Sequence, residues 1–207
     1  MAMGRPRSFD LEQALERAMQ VFWRLGYEGA SIAELTKAMG IASPSLYAAF
    51  GSKEGLFKAV LDHYEARRLG YKAAMLSART AREAVEQLLY GMIDLVTDPS
   101  EPPGCLLLQG GLTCGADTQD IPQELARRRA QMEEGLQARL ARGIAEGDLA
   151  PGADIGALAR YFVAVCNGIA VQATSGAGRE ELRQVADLAL RAWPASGAEA
   201  RTDVTVG

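Results

Sequence analysis

Apolar residues recur at three- and four-residue steps through most of the chain and strand-like alternation is scarce, so the pattern predicts an all-α fold. Leu11, Leu15, Ala18, Phe22 and Leu25 make the first apolar face. Asp10 opens that helix as N-cap with Gln13 three residues on, Phe9 stands where a hydrophobic staple would pack, and Gly26 closes it. A short second helix starts at Ser31, where Glu34 completes a capping box and Ile32, Leu35 and Met39 face inward, and it ends at Gly40. Ser43 as N-cap and Pro44 at the first helical position open a third helix that runs to about Phe50. Gly51 stops it, Ser52 caps the next, and Leu56, Phe57, Val60, Leu61 and Tyr64 supply a longer helix from Lys53. Two short helices joined by a Gly-containing turn, the second with a first-turn proline, are a helix-turn-helix arrangement, although a plain helical hairpin has the same spacing.

Further helices follow. One covers residues 80–96 and breaks over 98–104, where prolines forbid continuation. After a short apolar stretch over 105–112, a long helix fits 123–146, with Gly147 and Asp148 closing it. The run Arg127, Arg128, Arg129 is flanked by Glu124, Glu133 and Glu134, which makes it a solvated face rather than a nucleic-acid patch. Residues 154–174 are apolar almost all round, a helix that must be covered on both sides. A last helix over 179–193 carries Leu182, Val185, Ala186, Ala189 and Trp193 on one side and Leu188 and Leu190 elsewhere, a surplus that suggests a partner chain. The division expected is a helix-turn-helix domain over 1–52, a helical domain over 53–193 and a disordered tail over 194–207.

Composition narrows the classes. No apolar stretch reads as long enough to span a bilayer and residues 1–7 precede no signal-type apolar region, so the expectation is a cytoplasmic protein without membrane contact. Cys105, Cys114 and Cys166 lack paired spacing, and His63, the single histidine, has no second ligand or nucleophile in helical reach. No metal, cofactor or enzyme chemistry is expected, and His63 reads as an ordinary surface or hinge residue. Net charge is -4, but residues 1–68 hold nine Lys and Arg against eight Asp and Glu, so charge leans towards the N-terminal helices.

Phe9-Asp10, the run Gly26-Tyr27-Glu28-Gly29-Ala30-Ser31 and the run Ser45-Leu46-Tyr47-Ala48-Ala49-Phe50-Gly51-Ser52-Lys53-Glu54 resemble the signature of TetR-type regulators over residues 5–60. Gly104-Cys105-Leu106-Leu107 is similar to one branch of that family. The resemblance implies an N-terminal helix-turn-helix on double-stranded, pseudo-palindromic operator DNA, a helical C-terminal domain for a small-molecule effector, and a homodimer through the last two helices. It implies a repressor released from its operator by a small apolar molecule, with motion of the fourth helix changing the separation of the recognition helices and a hinge at 63–70.

On the DNA side, Ser43, Pro44, Ser45, Tyr47 and Ala48 are the exposed positions of the third helix. They include no Arg, Lys, Asn or Gln for bidentate base contacts, so direct readout is expected to be thin. Ala48 or the Pro44 ring would meet thymine methyls and the serines base edges or phosphates, while the resemblance gives Tyr47 a phosphate contact. Ser31 and Lys53, each at a helix start, are phosphate candidates, and Arg5 and Arg7 on a proline-held arm are suited to the backbone or an adjacent minor groove. Many relatives carry a histidine where this chain has Ala49. On the effector side, Met75, Leu89, Met92, Ile93, Leu108, Leu112, Met132, Leu136, Phe162 and Cys166 are the apolar pocket candidates, with an apolar or weakly polar ligand expected. Cys105, read as lying in the first turn of a helix, offers an alternative: sensing of electrophiles or oxidants through a thiolate. The rival classes are a helical-bundle carrier or enzyme, and a DNA-bound platform with no effector.

Overall fold

The computed structural model describes residues 9–110 and 120–194, and every element among them is helical. They form two compact units by contact, residues 1–68 with 106–125 and residues 69–105 with 126–207. The helix over 53–68 and the short one over 106–109 therefore belong with the N-terminal helices, a packing division different from the functional one expected at Ser52. The N-terminal arm, the 111–119 segment and the tail over 195–207 lie outside the described residues, and with them Arg5, Arg7, Leu112 and Cys114.

In the first unit, α1 (Leu11–Gly29) starts on Asp10, whose carboxylate accepts the amides of Glu12 and Gln13. Gly26 does not end it outright: at φ 70° and ψ 177° it kinks the helix, and a last turn follows to Gly29. Leu25, expected on the inner face, stands 46% exposed just before that kink. α2 (Ile32–Met39) and α3 (Ser43–Phe50) follow, with Gly40 left-handed between them, as its position predicts. α4 (Lys53–Arg68) and α7 (Leu106–Gln109) pack on α1, and the core is an aromatic cluster. Phe22 stacks parallel to Tyr27 at 6.2 Å, Phe57 meets both edge-on, and Trp23 meets Tyr64 edge-on at 5.0 Å. Leu35, Leu46 and Leu61 fill the rest. α4 is tied to α1 at its far end, where Glu16 bonds His63 Nε2 at 2.9 Å and Arg68 at 2.6 Å, and Glu12 pairs with Arg67. His63 is thus not a surface residue; its side chain is 9% exposed and its partner is 47 residues away in sequence.

In the second unit, α5 (Gly70–Ser77) packs on α6 (Ala81–Val96), with Tyr71 seated against Gly91, where any side chain would overlap the tyrosine. α5 is absent from the sequence expectation, which placed a hinge at 63–70; the chain breaks at Leu69 and then resumes as helix. α8 (Asp120–Glu146) begins three residues before the expected start, in the first unit, and continues into the second. α9 (Ile155–Thr174) packs on α6, and α10 (Arg179–Leu190) packs on both, ending short of the expected Trp193. One expectation is corrected here: α9, with 20 residues and a mean hydropathy of 1.4, is long and apolar enough to cross a bilayer by length and composition. Its Phe162, Cys166 and Ile169 are buried in the bundle and Arg160 pairs with Glu133, the environment of a bundle helix.

Among the described residues, Arg139 on α8 is the largest fully buried side chain. Its Nε donates to the Ala78 carbonyl at 3.0 Å and Nη2 lies 3.5 Å from Asp148, which in turn accepts the Ala81 amide at 3.1 Å. The α5–α6 connection is thereby bolted to the end of α8.

Candidate DNA interface

The interface is built on two caps and one small helix. Ser31 Oγ accepts the Glu34 amide at 3.1 Å and donates to the Glu34 carboxylate at 2.7 Å, while the Ser31 amide donates to the same carboxylate at 2.9 Å. The capping box expected at Ser31 is complete. These bonds hold the Glu34 carboxyl below the ordinary glutamate range, the Ser31 hydroxyl contributing most. The sign follows: a depressed carboxylate supports the folded form at neutral pH, and that support fades as pH falls through its lowered value. In this arrangement the Ser31 hydroxyl proton is directed at the Glu34 carboxylate and its oxygen at the Glu34 amide. Ser31→Ala is expected to cost about 1 kcal/mol of stability in chemical denaturation.

α3 starts one residue earlier than the sequence suggests. Ala42 is the N-cap, with no side-chain bond, so Ser43 is the first helical residue and Pro44 the second. The helix accepts this because proline fits any first-turn position, where its missing donor has no intrahelical acceptor. Leu46 is fully buried and anchors α3, and Pro44, Tyr47 and Ala48 stand exposed at three- and four-residue spacing on one face. Ser43 and Ser45, expected exposed, are half-buried. Tyr47 is 48% exposed, so this face presents a phenol, a methyl and a proline ring.

Ser52 Oγ accepts the Gly55 amide at 2.9 Å and caps α4 as expected. Lys53, at the head of that helix, is half-buried, with its ammonium 4.5 Å from the centre of the Tyr27 ring. Tyr27 is 7% exposed and its amide donates to the Gly110 carbonyl at 3.1 Å. Neither Tyr27 nor Gly110 was a site candidate from the sequence; the signals for Tyr27 are its place directly after a helix-breaking glycine and within the run 26–31 that carries the family resemblance.

Of the effector candidates, Met75, Leu89, Met92, Ile93, Leu136, Phe162 and Cys166 are buried in the second unit, Met132 there is half-buried, and Leu108 is half-buried in the first. Cys105 precedes α7 rather than lying in its first turn, and is 3% exposed. Burial pushes the Cys166 thiol far up, and Cys105 adds to it. On α9 and α10, Tyr161, Val171, Val185 and Leu188 stand exposed, and a cleft of about 420 Å³ is lined by Val165, Gly168, Gln172, Leu182 and Val185 among others. Leu190, expected off the packed face, is buried.

A capped helix pair that presents a short second helix, followed by a bundle with an apolar outer face, defines a helix-turn-helix transcription regulator. The comparisons agree. Residues 14–60 match the family of bacterial regulatory proteins of tetR type, and residues 81–189 match the tetracyclin repressor-like C-terminal domain. The HTH-type transcriptional repressor ComR of Escherichia coli K12 is 37% identical over 193 residues, 92% of each chain. A cysteine-substituted form of the regulator CifR, solved with 26-base-pair operator DNA, superposes with a TM-score of 0.88 at 45% identity, covering 92% of this chain and all of that one. A TetR regulator from Rhodococcus sp. RHA1 is 44% identical, with a TM-score of 0.60 over 89% of this chain and all of that one. The chain belongs to the TetR family of DNA-binding transcription regulators.

Proposed function

We propose that the chain is a dimeric repressor that holds a pseudo-palindromic operator and leaves it when a small apolar or weakly polar molecule binds the helical bundle. The observation that carries this reading is the α3 face. Pro44, Tyr47 and Ala48 project from a helix anchored by Leu46, between the first turn of α2 and the head of α4 with Lys53. Ala48 and Pro44 suit thymine methyls, and Tyr47 and Lys53 suit phosphates. Ser43 and Ser45 retain enough exposure for a backbone contact, and Arg5 and Arg7 supply basic groups to the flanking groove. With no long polar reader on α3, groove shape contributes to specificity. ComR is named a repressor and the CifR variant is bound to operator DNA, which favours this role here.

Residues 1–52, with Lys53 at the head of α4, carry the DNA contacts, and the rest of 53–193 the effector and the second protomer. The exposed apolar stripe of Tyr161, Val171, Val185 and Leu188 on α9 and α10 is the surface for that protomer. Effector binding draws on the buried Met75, Leu89, Met92, Ile93, Leu136, Phe162 and Cys166 with Met132 beside them, a lining that favours shape and apolar area over charge. The reading is of a non-enzymatic, cytoplasmic regulator. A hydroxyl-radical footprint on the intergenic DNA beside its own gene tests it. Two protected half-sites roughly 34 to 36 Å apart are expected, and uniform weak protection would count against a dimer on an operator.

A further inference from the structure

We propose that Tyr27 is a positioning residue: it presets the Lys53 ammonium for the DNA phosphate and makes that setting depend on α7. The inference rests on the operator-binding reading above and concerns how that binding is tuned.

Four observations meet at this one side chain. The kink at Gly26 turns the chain so that Tyr27, in the last turn of α1, enters the aromatic core, parallel to Phe22 and edge-on to Phe57 at 5.2 Å. At 7% exposure its ring is held by its neighbours and does not drift with solvent. The Lys53 ammonium lies 4.5 Å from the ring centre, where the π-face attracts a cation. The Tyr27 amide donates to the Gly110 carbonyl, and Gly110 closes α7 through its own amide to Leu106 at 2.9 Å.

A lysine that reaches a phosphate from free solution gives up the rotamer freedom of a long side chain. One already held over a ring has lost much of that freedom before DNA arrives, and keeps its remaining N–H groups for the phosphate oxygens, so the ring preorganises the contact. The same ring is fixed by α7 from two directions. Gly110 bonds the Tyr27 backbone, and it also abuts Phe57, since a Cβ on Gly110 would fall 3.0 Å from Phe57 Cζ and 2.8 Å from the Leu106 carbonyl oxygen. α7 is the first stretch of chain after Cys105, where the backbone passes from the second unit into the first. A pull along the backbone at that point moves Gly110, and Gly110 cannot move without shifting Tyr27 and with it the partner of Lys53. The cation is thereby linked to α7 by two backbone hydrogen bonds and one ring.

Anisotropy titrations on the operator duplex at several salt concentrations test this, using the full-length wild type, Lys53→Gln, Tyr27→Leu, Tyr27→Phe, Gly110→Ala and the Tyr27→Leu/Lys53→Gln double variant. Lys53→Gln is expected to shallow the salt slope by about 1 per protomer. Tyr27→Leu is expected to shallow it in the same direction and to weaken binding at low salt roughly fivefold, the cost of ordering one unheld lysine side chain in each of two protomers. Tyr27→Phe keeps the ring and retains the slope, and the double variant binds no more weakly than Lys53→Gln alone. Gly110→Ala, whose methyl meets the Leu106 carbonyl and Phe57 on the helix that Lys53 heads, shallows the slope too, and should Tyr27→Leu fail to fold, a wild-type slope in Gly110→Ala overturns the dependence on α7. Wild-type slopes in both Tyr27→Leu and Gly110→Ala, with a reduced slope in Lys53→Gln, would overturn the proposal and leave operator binding intact. A wild-type slope in Lys53→Gln would remove the phosphate role on which it depends. Failure of the wild type to prefer the operator over random duplex would instead remove the operator-binding reading itself.

Discussion

Ala48→Asp is expected to weaken operator binding roughly a hundredfold or more while leaving the melting temperature unchanged, because like charges forced together at an interface cost several kcal/mol. Ala48 is exposed on α3, one turn from Pro44 and beside Tyr47, so a carboxylate there meets solvent in the free protein and disturbs no packing. On DNA it faces the phosphate field without a cation on the same helix to offset it, since α3 holds no Lys or Arg. A dimer brings two such groups. Anisotropy on the operator, with circular dichroism for the melt, separates the two effects. Undiminished affinity would mean that this face of α3 does not meet the groove.

Arg139→Ala is expected to destabilise the protein by about 3 kcal/mol or more, read by urea denaturation, with a loss below about 1 kcal/mol contradicting the role assigned to it. The change empties the space of the largest fully buried side chain and removes the Ala78 carbonyl bond and the Asp148 ion pair together. Arg142 also donates to Ala78 at 2.8 Å, so that carbonyl keeps one donor. The loss comes chiefly from the cavity and from Asp148, which is left with the Ala81 amide and no cation. Nη1 of Arg139 is buried without a hydrogen-bond partner, so the guanidinium acts as a packed bolt rather than a fully satisfied ion pair.

What could be read from the sequence were the features set by neighbours along the chain. The Ser31 and Glu34 box, the Asp10 and Ser52 caps and the helix break at Gly40 are all dictated within four residues, and all form as expected. The start of α3 shifts to Ala42 because proline is accommodated at more than one first-turn position, so it does not fix the register. α5 was missed because its eight residues carry only one buried side chain, Met75, and its place is fixed by Tyr71 fitting against Gly91, twenty residues on. His63 and Arg139 were misjudged or passed over for the same reason. A histidine paired with Glu16 and an arginine bonded to Ala78 depend on partners 47 and 61 residues away, and nothing local distinguishes them from solvated charges. The sequence nominated five α3 positions for DNA, and the structure divides them by burial into exposed Pro44, Tyr47 and Ala48 and half-buried Ser43 and Ser45. The setting of Lys53 over Tyr27 required the fold.

The central claim is that this chain recognises a specific operator through a dimer. Its most direct test is fluorescence anisotropy of the purified protein on the intergenic DNA beside its own gene, titrated across salt with random duplex as competitor. Tight binding that resists the competitor and falls steeply with salt is the predicted result. Affinity equal to that for random duplex, at every salt concentration, would contradict it.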